Sequence, residues 1–240
     1  MKILIVNDDS IHAPGIRVLA RNAAELGDVY VVAPEHQCSA MSQKLTIREN
    51  LIIKSYPDFP APVRGAWSVS GTPVDCVKVA LRYILEEKPD LVLSGVNNGY
   101  NVGFDTAYSG TVGAALEAAR SGVPAIALST SHERHLPAVE PLLLSTIRDL
   151  LAKPLEPGRF WNVNFPARVP EDVVEILRER SIAPYSMYQE YYIPEEQPDG
   201  SVDLGIGIKL VSNDLLPEGS DAHAVRSGCI SIGKVKDRVT

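Results

Sequence analysis

Asp8 and Asp9 stand side by side at the end of the apolar run Lys2-Ile3-Leu4-Ile5-Val6. Two adjacent like charges are costly unless a cation neutralises them, and in open α/β sheets ligands bind beyond the carboxyl ends of strands. From the pair alone, two readings stay open: a metal site, or a polar turn capping the next helix. Two further oxygen donors follow at strand ends, Ser39 after the second apolar run and Asn97 after the third. Asp8, Asp9, Ser39 and Asn97 together would form a hard, oxygen-only shell suited to Mg²⁺ or Mn²⁺. No histidine or cysteine belongs to the set, which argues against zinc. Ser109-Gly110-Thr111 opens an alanine-rich segment, and a helix start of small residues offers free N–H groups and a favourable dipole to an anion. Beside a hard-metal site, that start points to phosphate ester chemistry.

The first ~170 residues alternate strand and helix patterns, which predicts a βαβ arrangement. The apolar run at 2–6 lacks alternation, as expected of a strand buried on both faces of a parallel sheet. A helix is expected from about Ile16 to Leu26, with Pro14 in its first turn, then a strand at 29–33 and a polar loop from Pro34 to Leu45. Segments near 45–54 and 65–70 read as short strands, and Thr72 to Glu87 as a helix with Thr72 as N-cap and Pro73 in first position. Strands at 91–93, 124–128 and 160–164 and helices from Ser109 to about Arg120 and over 138–152 complete the alternation. The fold class expected is α/β: a Rossmann-like three-layer domain with a mostly parallel sheet over 1–170. A C-terminal extension over 171–240 would carry a β-hairpin arm and a returning strand. The tyrosine-rich stretch 184–210 reads as that arm, packing on a partner subunit. No GxGxxG joins the first strand to the first helix, so the dinucleotide fingerprint is missing.

The composition narrows the function classes. A net charge of −7 without a basic stripe argues against a nucleic acid polymer as partner. No apolar stretch approaches the roughly 20 residues that cross a bilayer, and residues 3–6 are too short for a signal-peptide core, so a cytoplasmic location and no membrane contact are expected. Cys38, Cys76 and Cys229 have no metal or CxxC spacing and read as separate reduced thiols.

Several motifs occur in one family's order: Asn7-Asp8-Asp9, Ala13-Pro14-Gly15, Val32-Ala33-Pro34 with Ser39, and Gly71-Thr72-Pro73-Val74-Asp75-Cys76-Val77. Ser94-Gly95-Val96-Asn97, the Gly99/Asn101/Gly103 loop, Ser109-Gly110-Thr111 and Asn162-Val163-Asn164 follow. From residue 1 to about 166 the chain resembles the SurE family of stationary-phase survival proteins, with a weaker echo at Gly219-Ser220-Asp221 and Val225–Ile232. The resemblance implies a metal-dependent phosphomonoesterase acting on nucleoside 5′- and 3′-monophosphates, with short polyphosphate as a further substrate. It implies Asp8, Asp9, Ser39 and Asn97 as ligands of one divalent metal ion per subunit (Mg²⁺, Mn²⁺ or Co²⁺). Asp8 or Asp9 would activate the attacking water, and Asn7, Ser109, Gly110 and Thr111 would meet the phosphate and substrate. It also implies a homodimer or homotetramer built through the arm. Where the family usually has Gly this chain has Ser10, a residue strained at positive φ.

The main alternative is a receiver-like, Mg²⁺-binding phospho-switch without hydrolase activity. Its phosphoacceptor would have to be Asp58, which sits in a proline-rich stretch. A haloacid-dehalogenase-like phosphatase needs Asp-x-Asp, and a sugar-nucleotide transferase shares only the first strand. Of the five histidines, His12 and His36 lie in loops near the proposed site, while His132, His135 and His223 read as solvated or structural. Asp105 and Tyr108 precede the phosphate helix and read as shaping the pocket rather than reacting.

Overall fold

The computed structural model describes residues 1–167 and 175–236. Its centre is the run that opens the chain. β1 (Lys2–Val6) is buried, and its side chains divide between two cores. Ile3 and Ile5 enter one with Ile16, Leu19, Val139 and Leu143. Leu4 and Val6 enter the other with Val77, Val112 and Ala115. A strand covered on both sides needs apolar residues at every position, which explains the missing alternation. Each such side chain contributes about 1.5–3 kcal/mol by leaving water.

The elements follow in order: α1 (Pro14–Ala23), β2 (Asp28–Pro34), β3 (Ile53–Ser55), β4 (Gly65–Val69), α2 (Pro73–Val79), β5 (Leu91–Asn98), α3 (Gly110–Arg120), β6 (Ala125–Thr130), α4 (Leu136–Leu151) and β7 (Arg159–Phe165). After these come β8 (Ile176–Leu177), β9 (Tyr188–Glu196), β10 (Val202–Leu210), α5 (Asp221–Arg226) and β11 (Ile230–Lys236). The large sheet runs β3-β4-β2-β1-β5-β6-β7-β11-β8. Its six central strands are parallel, while β3 and β11 run antiparallel to β4 and β7. α1 and α4 cover one face and α2 and α3 the other, giving the three-layer α/β architecture expected. From β1 the chain moves outward to β2 and β4, then returns to the other side of β1 with β5. The switch in strand order therefore falls between β1 and β5, where open α/β sheets bind ligands.

Some local expectations change. The expected strand over 45–54 shrinks to β3, because Thr46 spends its amide and hydroxyl on the Asp75 carboxylate, at 3.1 and 2.7 Å, and Leu45 and Ile47 are exposed. The helix expected over 72–87 starts as read, with reciprocal bonds between Thr72 and Asp75. It gives way after Val79 to a π-turn over Ala80–Ile84, in which Leu85 N–H reaches Ala80 C=O at 2.9 Å. α1 begins at Pro14 rather than near Ile16. The boundary expected near residue 170 lies outside the described residues, and the returning strand β11 joins the main sheet against β7.

β9 and β10 form the expected hairpin, paired over nine positions from Val202↔Glu196 to Leu210↔Tyr188. Val202, Leu204, Ile206, Ile208 and Leu210 alternate along β10 and so share one face, which lies open to solvent.

Candidate active site

Asp8 leaves the end of β1 and its carboxylate lies against the start of α3. Thr111 Oγ1 donates to Oδ1 at 2.6 Å and Thr111 N to Oδ2 at 3.1 Å. Ser109 caps that helix by accepting a bond from Val112 N at 3.1 Å. Gly110 permits the approach: a Cβ there would lie 2.9 Å from Asp8 Cβ. Burial pushes the Asp8 carboxyl up to about 6; the Thr111 hydroxyl bond works against this and the neighbouring Asp9 charge adds to it.

Asp9 faces the other way, to the end of β5. Its Oδ2 accepts from the Asn98 backbone N–H at 2.9 Å, and the Gln37 amide lies 3.5 Å from Oδ1. Asn97 donates its side-chain N–H to Gly99 C=O at 2.8 Å. Asp9, Gln37, Asn97 and Asn98 line a cleft of about 170 Å³ whose other wall includes Pro14 and Leu136. α1 crosses β5 here at backbone contact, since a Cβ on Gly15 would sit 2.1 Å from Val96 O.

The loop after β2 closes the site from above. Cys38 N donates to Asp8 C=O at 2.7 Å, and the neighbouring Ser39 is exposed. Further along, Ser42 bonds Tyr108 and Ala107 C=O, at 2.8 and 2.7 Å, just ahead of Ser109. Asn7 is buried beneath the pair; its side-chain N–H donates to Ser10 C=O at 2.8 Å and its Oδ1 has no hydrogen-bond partner among the described residues. Ser10 adopts φ +89°, the strained conformation expected where a Gly would be at ease.

The fold thus brings Asp8, Gly110 and Thr111 into contact and sets Asp9 beside Asn97, at the switch between β1 and β5. Asn7 serves the loop beneath, and no described hydrogen bond ties the Ser39 side chain to either carboxylate. Gln37 and the Asn98 amide were missed by sequence reasoning. Gln37 is one polar residue in a polar loop and Asn98 acts through its backbone, so neither leaves a trace in composition or spacing. Asp58 is exposed beyond the end of β3. Because β3 is antiparallel to β4, that end lies at the sheet edge opposite Asp8, which removes the geometry a receiver would need.

Among the described residues no cluster of three or more His, Cys, Asp or Glu side chains forms. The donor set is two carboxylates with neutral oxygens, the kind that hard divalent cations take. The raised Asp8 carboxyl fits as well: a cation would reverse the burial that disfavours its charge. His12 stacks edge-on against Tyr56 at 5.4 Å, outside this donor set.

Comparison with known proteins points to one family. A family model described as Survival protein SurE matches residues 3–184. A 5′-nucleotidase SurE 2 of Chlamydia caviae is 48% identical over 177 residues, which span 70% of this chain and 62% of that protein. A 5′/3′-nucleotidase SurE of Cronobacter sakazakii is 36% identical over 234 residues, 97% of this chain and 88% of that one. The crystal structure of the SurE protein from Aquifex aeolicus superposes with a TM-score of 0.84 at 32% identity, covering all of this chain and 95% of that one. On this agreement of sequence and fold, the chain belongs to the SurE family.

Proposed function

We propose that this protein is a divalent-metal-dependent phosphomonoesterase that hydrolyses nucleoside 5′- and 3′-monophosphates to nucleoside and phosphate. One observation carries the reading: Asp8 is seated on the start of α3 while the adjacent Asp9 is seated on the end of β5. Two carboxylates and a helix N-terminus thereby converge at the ligand-binding edge of the sheet. The nucleotidase names of the relatives support the same reaction class.

Asp8, Asp9, Asn97 Oδ1 and the Ser39 hydroxyl would hold one Mg²⁺, Mn²⁺ or Co²⁺ ion. When bound, such an ion supplies charge neutralisation at a phosphoryl oxygen and a more acidic water. The protein's own part is positioning. The Gly110 amide and the Ser109 hydroxyl would receive the non-bridging oxygens at the positive end of the helix dipole, since the Thr111 and Val112 amides are spent on Asp8 and Ser109. Thr111 fixes the Asp8 carboxylate by two bonds and so sets its orientation toward the reacting phosphorus. Asp9, anchored at Oδ2 by the Asn98 amide, keeps Oδ1 toward the cleft, where it would accept the proton of the attacking water. The cleft walls at Pro14 and Leu136 offer apolar contact to the nucleoside. Asn7 acts from beneath by fixing the turn at Ser10 that aims the pair.

The open apolar face of the hairpin supports self-association, as dimer or tetramer, since an isolated two-stranded ribbon is marginal in water. Cys38, Cys76 and Cys229 are all free, which fits a reducing cytoplasm. No helix among the described residues is long and apolar enough to cross a membrane.

The test is phosphate release from nucleoside 5′- and 3′-monophosphates and short polyphosphate, with EDTA, Mg²⁺, Mn²⁺ or Co²⁺ in parallel. Release from the monophosphates that depends on the metal is expected. Undiminished release in EDTA would remove the metal from the reading, and silence with every metal would overturn it.

A further inference from the structure

The loop between β5 and α3 delivers Ser109 and Gly110 to the site, and it is fastened on two sides. On the core side, Asn101 N–H donates to Asn164 Oδ1 at 2.8 Å, and Asn101 C=O accepts from Asn162 and Asn164 side chains at 2.8 and 3.1 Å. On the other side the loop is sewn to the start of α5 and to the base of the hairpin. Gly103 N–H donates to the buried Asp221 carboxylate at 3.0 Å, and Phe104 N–H to Tyr185 C=O at 3.0 Å. Tyr100 N–H reaches Tyr188 Oη at 3.1 Å. Tyr100 and Val102 share a small core with Ala183, Met187 and Val211 at that base.

Within this seam Asp105 has a distinct place. It lies four residues before Ser109, and its Oδ2 accepts from Met187 N–H at 2.6 Å and Tyr188 N–H at 3.3 Å. Tyr188 is the first residue of β9, so the carboxylate holds the root of the hairpin. Asp105 C=O in turn accepts from Tyr108 N–H at 3.1 Å, which closes the turn leading into Ser109. One residue therefore joins the hairpin root to the turn that aims the helix start.

We propose that Asp105 is a positioning residue: through its bonds to Met187 and Tyr188 it fixes the loop that presents Ser109 and Gly110 to the phosphoryl group. It touches no reacting atom. The idea rests on the nucleotidase reading for its kinetic consequence but not for its structural one. Without the carboxylate the loop keeps its bonds to Asn162, Asn164, Asp221 and Tyr185, and the Asp105–Tyr108 turn loses its tie to the hairpin root. The helix start then samples positions from which it meets phosphate less well. Because those donors hold the substrate's oxygens before reaction as well as during it, the change falls mainly on KM.

The experiment compares Asp105→Ala and Asp105→Asn with the wild type in the full chain, by amide hydrogen exchange and by kinetics. In Asp105→Ala, exchange across residues 103–112 speeds up by about tenfold, with the β1 and β5 segments unchanged. KM for a nucleoside monophosphate and the inhibition constant of inorganic phosphate rise together by about five- to twentyfold, while kcat stays within about twofold. Asp105→Asn keeps a carbonyl oxygen for the two N–H groups and recovers most of both effects. Unchanged exchange at 103–112 in Asp105→Ala would overturn the proposal. So would a lower melting temperature with KM unmoved, or an Asn variant no better than Ala. A wild type that releases no phosphate would overturn the nucleotidase reading instead, and the exchange result would still decide the role of Asp105.

Discussion

The carboxyl edge of the central sheet and the hairpin β9–β10 are built from the same two ingredients, apolar residues and carboxylates, in opposite arrangements. At the sheet edge the apolar residues of β1 and β5 are buried, and the carboxylates are gathered and aimed. Asp8 is held by two bonds from Thr111, and Asp9 by the Asn98 amide with Gln37 beside it. Along the hairpin the apolar residues form an open stripe, with Ile206 and Ile208 69% and 66% exposed, and Glu190, Glu195 and Glu196 stand free in solvent. Buried apolar surface stabilises a fold from within, whereas an exposed apolar stripe is stabilised by a partner. The contrast assigns chemistry to the first region and association to the second, and each half of that assignment can be broken separately.

The largest effect is expected at the edge. Asp8→Asn places an amide N–H against donors that now face a carboxylate, and phosphate release should fall by at least about a thousandfold with the far-UV spectrum and sedimentation unchanged. Activity within tenfold of wild type would mean that the carboxylate pair is not the reacting centre. A smaller effect is expected on the hairpin. Ile206→Asp combined with Ile208→Asp should weaken self-association by at least about a hundredfold in analytical ultracentrifugation, through lost apolar contact and added repulsion. An unaltered sedimentation profile would show that the stripe is not the contact.

The smallest effect is a difference in titration between buried and exposed carboxylates. Burial holds the Asp221 carboxyl above its ordinary 3.8, and burial does the same for Asp105. Bonds from Arg178 and Lys153 hold that of Asp149 below 3.8. The signs for stability are opposite. Asp149 supports the fold above 3.8 and loses that support as pH falls through its folded value. Asp105 and Asp221 detract from stability above their folded values, and that deficit disappears as pH falls through them toward 3.8. Carboxyl ¹³C titration should place Asp221 and Asp105 above 3.8 and Asp149 below it. An Asp221 midpoint at or under 3.8 would mean that the backbone N–H bonds it accepts from Gly103, Ala183 and Ala222 outweigh its burial.

How much of this could be read from the chain depends on the range of the interaction. The β1 run, the prolines that begin α1 and α2, the Thr72 cap and the adjacent carboxylates are local patterns, and the residues themselves display them. The hairpin was legible as well, because alternation along β10 survives without a core to enforce it. What stayed hidden is long-range. β11 pairs with β7 some seventy residues earlier, β3 turns antiparallel, and the Asn98 amide meets Asp9 across 89 positions. None of these contacts changes the residue types in either partner. Asp105 shows the same limit: as a residue it is one acid in a loop, and only the backbone amides of Met187 and Tyr188 give it a task.

The position of β11 bears on how the protein is made. Once residues 1–165 have left a ribosome, all six parallel strands are present, yet β7 is still a bare edge with its N–H and C=O groups unpaired. That edge is sealed only after Ile230–Lys236 emerge and return to it. During the synthesis of the intervening stretch, which includes the apolar hairpin, the nascent chain carries an open template for strand addition beside an uncovered sticky ribbon. Speed of translation through residues 166–236, or a chaperone that occupies the β7 edge meanwhile, would then govern how much of the chain reaches its folded form.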